Sequence, residues 1–144
     1  MVIYLITQVT NQSSHGGEDL LDLSSDKSIY VQIAEKIENE ILLENLKEED
    51  QAPSTNQFAK AYQINPATAL KGMNILVDEG ILFKKRGLGM FVAEGARNKI
   101  LKKRQDSFFK DILPEIMTEA NRLEISIEEI IDYMVKLKEG KNNA

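Results

Sequence analysis

The stretch PSTNQFAKAYQINPATALKGMNILVDEG, residues 53–80, runs directly into ILFKKRGLGMFV, residues 81–92, and these forty residues decide the fold. Pro53-Ser54 opens a helix, and Gln57 stands three residues after the Ser54 hydroxyl, the spacing of a capping box. Phe58, Ala59 and Tyr62 supply that helix with a buried face. It stops at Asn65-Pro66, because proline removes a backbone donor and drives the residue before it away from helical angles. Pro66 then suits the first position of a following helix capped by Asn65. Ala69, Met73, Leu76 and Val77 give this second helix its apolar stripe, and Gly80 ends it. Two β-prone runs, 81–83 and 90–92, flank the basic turn Lys84-Lys85-Arg86-Gly87-Leu88-Gly89, which is a hairpin pattern.

Upstream, Ile29, Ile33, Ile37 and Ile41 recur every fourth residue, with Tyr30 and Ala34 on adjoining rows and Glu35, Lys36, Glu38 and Glu40 opposite. That spacing predicts an amphipathic helix, its first turn capped by Asp26 or Ser28. Residues 46–52 read as a polar connector. Residues 1–24 read as a loosely ordered leader. Downstream, Phe108, Phe109, Ile112, Leu113, Ile116, Met117, Ala120 and Leu123 keep a helical period, with Pro114 as a kink or restart. Ser126 and Glu129 form a second capping box, opening a helix that carries Ile127, Ile130, Ile131, Met134 and Leu137. The expected organisation is a leader over 1–24, a three-helix-and-hairpin body over 25–93, and a helical tail over 94–140.

Composition narrows the chemistry. The 144 residues hold 42% hydrophobic and 28% charged side chains, room for one ordinary core and a small appendage. No apolar run reaches membrane-spanning length, and residues 1–6 lack the length and basic flank of a signal peptide. Cysteine is absent, which excludes disulfides and thiolate chemistry and suits the cytoplasm. The one histidine, His15, lies in a polar Ser-Gly stretch, so neither a zinc site nor histidine catalysis is expected, and no cofactor is called for. The adjacent Glu128 and Glu129 diverge on a helix and make a poor acid–base pair. The chain is therefore expected to be a binding protein and not an enzyme.

The net charge of −5 hides its own distribution. Residues 18–50 hold 11 acidic and 3 basic side chains, whereas residues 82–104 hold 8 basic ones against Glu94 alone. Such a concentrated patch can hold phosphates, because charges farther off than about 8 Å are screened at physiological salt. Two helices joined by a tight turn, then a basic hairpin, is the arrangement by which proteins read double-stranded DNA. The start of the second helix is small and polar (Asn65, Pro66, Ala67, Thr68), which allows close approach to the major groove, and its first-turn amides are expected to favour phosphate. Lys71 lies about one turn on, within reach of a phosphate or guanine edge. Lys84, Lys85 and Arg86 beside Gly87 and Gly89 suit a wing along the backbone or minor groove. Ser54, Thr55 and Asn56, at the start of the preceding helix, complete the candidate contacts. The second basic run, Arg97, Lys99, Lys102, Lys103 and Arg104, is a weaker candidate for DNA contact than the wing, the alternatives being a solvated face, a link between domains or an answer to the acidic first helix.

From Ile29 to Val92 the sequence resembles the DNA-binding domain of GntR-type bacterial regulators. The resemblance rests on Ile29-Tyr30-Val31-Gln32-Ile33, Pro53-Ser54, Asn65-Pro66-Ala67-Thr68, Leu76-Val77-Asp78-Glu79-Gly80-Ile81-Leu82 and Arg86-Gly87-Leu88-Gly89-Met90-Phe91-Val92, in that order and spacing. It implies a mainly α winged helix-turn-helix domain with a small β-hairpin wing, followed by a short C-terminal helical dimerisation tail. Arg122-Leu123-Glu124-Ile125-Ser126-Ile127-Glu128-Glu129-Ile130-Ile131 is similar to the two-helix tail of the short YtrA-like branch, whose members often control transporter operons.

In that branch the tail dimerises, and here the dimerising residues would be Phe108, Phe109, Ile112, Ile116, Ile130, Ile131 and Met134. There are departures: Asn56 stands where the family usually has a DNA-contacting arginine, and Ala52, Ala69 and Met90 replace a leucine, a valine and a threonine. The expected function is a cytoplasmic, sequence-specific transcriptional regulator, most often a repressor among relatives, acting as a homodimer on near-palindromic double-stranded DNA. No small-molecule effector can be named from the sequence. The alternative is an acidic winged-helix interaction module that ignores DNA, for which the net charge and Asn56 speak.

Overall fold

The computed structural model describes residues 21–22 and 27–142. Its elements are α1 (Ile29–Leu42), α2 (Thr55–Tyr62), α3 (Pro66–Asp78), β1 (Leu82–Lys85), β2 (Gly89–Val92), α4 (Ala96–Ser107), a π-helical turn (Phe108–Ile112), α5 (Leu113–Arg122) and α6 (Ile127–Asn142). The chain divides into two compact units, one ending at Arg104 and the other beginning at Gln105. Most of the predicted leader, with His15 and Asp26, lies outside the described residues. Leu21 and Asp22 do not fit a loose leader: the Gln32 amide bonds to both backbone groups of Asp22, at 2.8 and 2.9 Å, and Leu21 packs on the core.

The first unit is built on the isoleucine stripe. Ile33, Ile37 and Ile41 of α1 meet Phe58 and Ala59 of α2, Ala69, Met73 and Leu76 of α3, and Ile81, Leu82 and Val92 of the hairpin, all buried. Ala96 and Ile100 of α4 close the same core at 0% exposure. The sequence places the tail's start at residue 94. Burial of these two side chains instead keeps the chain with the body through Arg104.

Local chemistry explains the helix boundaries. Ser54 and Gln57 bond reciprocally, completing the capping box. Asn65 caps α3, with Pro66 as its first residue. Between them Gln63 takes a left-handed φ of 53°, which lets the Ile64 N–H bond back to the Ala59 carbonyl at 3.0 Å. At the far end Gly80 has φ 71°, and the Gly80 and Ile81 amides reach the Val77 and Leu76 carbonyls, a Schellman closure. Ser28 stands at the N-cap of α1 but makes no side-chain cap bond.

The antiparallel hairpin pairs Leu82 with Val92 and Lys85 with Gly89. The polar connector is more than a connector. Glu49 N–H donates to the Val92 carbonyl, Val92 N–H to Asp50, and Ala52 N–H to Met90, so residues 49–52 line the free edge of β2.

α3 packs on α1, α2 and β1. Its approach to α1 depends on Gly72: a Cβ there would lie 2.6 Å from the Tyr30 carbonyl oxygen and 2.8 Å from the Ile33 methyl. The nearer obstacle is backbone, which cannot swing away. Gly72→Ala gains about 1 kcal/mol of helix propensity but incurs an overpacking cost of about 1–3 kcal/mol or more. We expect a net loss of stability and a melting midpoint lower by roughly 5–15 °C, read by thermal denaturation. An unchanged midpoint would contradict the close crossing.

In the second unit Pro114 is the second residue of α5, and the chain enters through the π-helical turn. A proline lacks the N–H of the regular ladder and collides with the carbonyl four residues back, so the turn widens there. Ser126 N–H donates to Glu129 Oε2 at 2.8 Å and Glu129 N–H to Ser126 Oγ at 3.2 Å, forming the predicted box that opens α6. Bonds from the Ser126 backbone and hydroxyl hold the Glu129 carboxyl below its ordinary value. Among the described residues of this unit only Ala120 is buried; Phe109, Leu123, Tyr133 and Met134 are 60–65% exposed.

Candidate nucleic-acid interface

The core-facing side of α3 is Ala69, Gly72, Met73 and Leu76, which leaves Ala67, Leu70 and Lys71 exposed on other faces. Asn65, Pro66 and Ala67 are exposed at its start and Thr68 is half-buried. The expected first-turn phosphate donors of α3 are absent, however. Pro66 has no N–H, Asn65 Oδ1 accepts from Ala67 N–H at 2.9 Å, and the Asn65 carbonyl takes both Thr68 and Ala69 N–H. A phosphate placed at this end would therefore meet side chains and the helix dipole and not free first-turn amides.

At the start of α2, Ser54 Oγ is committed to Gln57 N–H, and the Thr55 hydroxyl donates to the Met73 sulfur at 3.6 Å. Asn56 stands exposed. Lys71 extends toward α1, its Nζ 4.0 Å from the Tyr30 ring centroid.

The hairpin turn is held from outside: Gln51 Nε2 donates to the Leu88 carbonyl at 2.8 Å, and Gly87 and Gly89 take φ of 76° and 115°. Its three cations differ. Lys85 Nζ sits 4.3 Å from the Phe91 ring and 3.9 Å from Glu49 Oε2, so it helps pin residues 49–52 to the hairpin. Lys84 and Arg86 are exposed, with no ion pair among the described residues.

Four cations of the second basic run, all but Lys102, bond within the first unit. Arg104 donates to Asn39 Oδ1 at 2.7 Å and to the Glu35 carbonyl at 3.2 Å. Lys103 lies 3.0 Å from Glu38 and 2.7 Å from Glu79. Arg97 and Lys99 donate to the carbonyls of Leu42 and Gly80. Glu38, only 2% exposed, is the anchor. Partial burial pulls the Lys103 pKa down, but Glu79 and Glu38 outweigh it and hold it above the ordinary lysine value. Lys103 and Arg104 thus answer the acidic first helix through Glu38, whereas Arg97 and Lys99 bind carbonyls and Lys102 is exposed. Glu38 was expected opposite the isoleucine stripe and is instead buried on its margin; the overlooked signal is that it follows Ala34 by four residues and precedes Ile41 by three.

A family model for "bacterial regulatory proteins, gntR family" matches residues 29–92. A crystal structure from Bacteroides thetaiotaomicron, described as a transcriptional regulator of the GntR family, is 32% identical, with a TM-score of 0.67 over 79% of this chain and 99% of that one. The chain belongs to the GntR family. Two Bacillus subtilis GntR relatives match it over nearly their whole length. The transcriptional regulator YhcF is 28% identical over 81% of this chain and 94% of its own. The transcriptional repressor YtrA is 26% identical over 85% of this chain and 97% of its own. This GntR chain is a winged-helix, DNA-binding transcriptional regulator. Among its described residues no helix is long and apolar enough to cross a membrane.

Proposed function

We propose that this regulator is a cytoplasmic homodimer that represses transcription, without catalysis, by occupying a near-palindromic operator, and that a transporter operon is the class of target. The observation that supports it most is α3 packed directly on β1. The exposed start at Asn65 and the hairpin bearing Lys84 and Arg86 thus belong to one compact unit. A helix in the major groove and a wing beside it is the contact this body suits. The proposed contacts are Asn56, Asn65, Pro66, Ala67, Thr68, Lys71, Lys84, Lys85, Arg86, Gly87 and Gly89. Ser54 and Thr55 complete the proposed set; the capping box engages both the hydroxyl and the N–H of Ser54, and the Thr55 hydroxyl is on Met73, so the donor this pair offers is the Thr55 N–H. Repression follows the named role of YtrA, a relative of matching length.

Dimerisation draws on the tail's exposed Phe108, Phe109, Ile131 and Met134 and the half-buried Ile112, Ile116 and Ile130. A second copy covering them would remove this apolar surface from water, and two-fold symmetry matches two half-sites.

Selection of bound fragments from random DNA tests the whole reading. An enriched inverted repeat with half-sites about one helical turn apart, or a small multiple, supports it. Enrichment of a single, non-repeated site contradicts the homodimer, and absence of enrichment contradicts sequence-specific binding. Asn56→Arg should tighten operator binding about tenfold in a gel shift, because a charge-assisted bond replaces a neutral one at an exposed position. Equal or weaker binding would place Asn56 away from the duplex.

A further inference from the structure

We propose that Leu70 reads the C5-methyl group of thymine in the major groove; the inference rests on the operator-binding function proposed above. Leu70 is 41% exposed in the middle of α3, while Ala69 and Met73 beside it are 0% and 1% exposed. It lies one turn beyond Ala67, whose methyl leaves the groove floor open to a longer neighbour. The polar side chains near it leave it uncovered in the free protein, Lys71 being a separate contact that would leave Tyr30 on binding. Lys71 Nζ lies over the Tyr30 ring, and Asn74 Oδ1 is buried.

An isolated exposed leucine needs no explanation on an ordinary surface. Here it stands on the helix that enters the groove, in the unit that carries the exposed cations Lys84 and Arg86, so the duplex is the partner whose charge fits. Within the major groove only thymine offers an apolar group; every other edge presents donors and acceptors that leucine would strip of water without replacing. Leu70 therefore favours thymine and disfavours the other bases at its position.

The test uses the full chain and the operator recovered by selection, with deoxyuridine replacing each thymine in turn, which deletes only the methyl. At one position per half-site the wild-type protein should bind about four- to tenfold more weakly. Leu70→Ala should show a similar loss on the thymine operator and no further loss when that same thymine becomes uracil. Leu70→Met, which keeps an apolar reach, should restore the methyl dependence. Melting midpoints of both variants should match the wild type. Three outcomes overturn the assignment: unchanged affinity of Leu70→Ala, equal methyl sensitivity with and without Leu70, or a selected half-site with no thymine. Failure to bind any DNA overturns the operator-binding function itself, and the assignment with it.

Discussion

Alanine at Lys84, Lys85 and Arg86 together should lower operator affinity by about three orders of magnitude at 0.1 M salt and flatten its salt dependence. Each phosphate neutralised on B-DNA contributes about 0.9 to the slope of log K against log salt. Two wings per dimer carry six such cations, so the slope should shrink by up to about 5. The structure refines this expectation. Lys84 and Arg86 are exposed and make no ion pair among the described residues, whereas Lys85 is held by Phe91 and Glu49 and must leave them to reach a phosphate. Singly, Lys84→Ala and Arg86→Ala should each reduce the slope more than Lys85→Ala. Lys85→Ala should instead show part of its effect as a slightly lower melting midpoint, because it removes one of the contacts that hold residues 49–52 to the hairpin. Titration by fluorescence anisotropy at several salt concentrations reads both effects. A triple variant with the wild-type slope would remove the wing from the interface.

Deletion of residues 105–144 should leave a folded monomer whose operator affinity is lower by about 10²–10⁴. Two linked recognition units gain this factor from effective concentration alone, without any new contact. The first unit should survive the cut, since its core closes with Ala96 and Ile100 and its ion pairs end at Arg104. Light scattering should report a single chain and circular dichroism an intact helical body. A dimer in light scattering would assign self-association to the first unit. An operator affinity equal to that of the full chain would show that one half-site suffices.

Much of the fold was legible because its decisive devices act over a few residues. Ser54 with Gln57, Asn65 with Pro66, Gly80, and the Gly87–Gly89 turn each work within one turn of chain. What was not legible depends on partners far along the sequence. Gly72 reads as a weak point in a helix until the Tyr30 carbonyl is found 2.6 Å from its missing Cβ. Residues 49–52 are too polar to announce a strand, yet β2 supplies them with backbone partners about forty residues away. Arg104 finds Asn39 across 65 positions, so a run that composition groups with the wing serves a different purpose.

The candidate interface was legible as a set of positions and less so as a set of available atoms. Asn65 was read as both cap and contact. In the structure its cap and its carbonyl together occupy the amides that were expected to greet a phosphate. Leu70 went unremarked because an apolar residue in a helix is ordinarily core.

The inward turn of Lys103 and Arg104 bears on how the protein finds its site in a genome. With those two cations tied to Glu38, they are withdrawn from the charges that bulk DNA can hold, so random sequence should retain this acidic chain more briefly than its count of basic residues suggests. Search should then proceed by frequent hops with short residence, and fewer molecules would be lost to decoy sequence at physiological ionic strength.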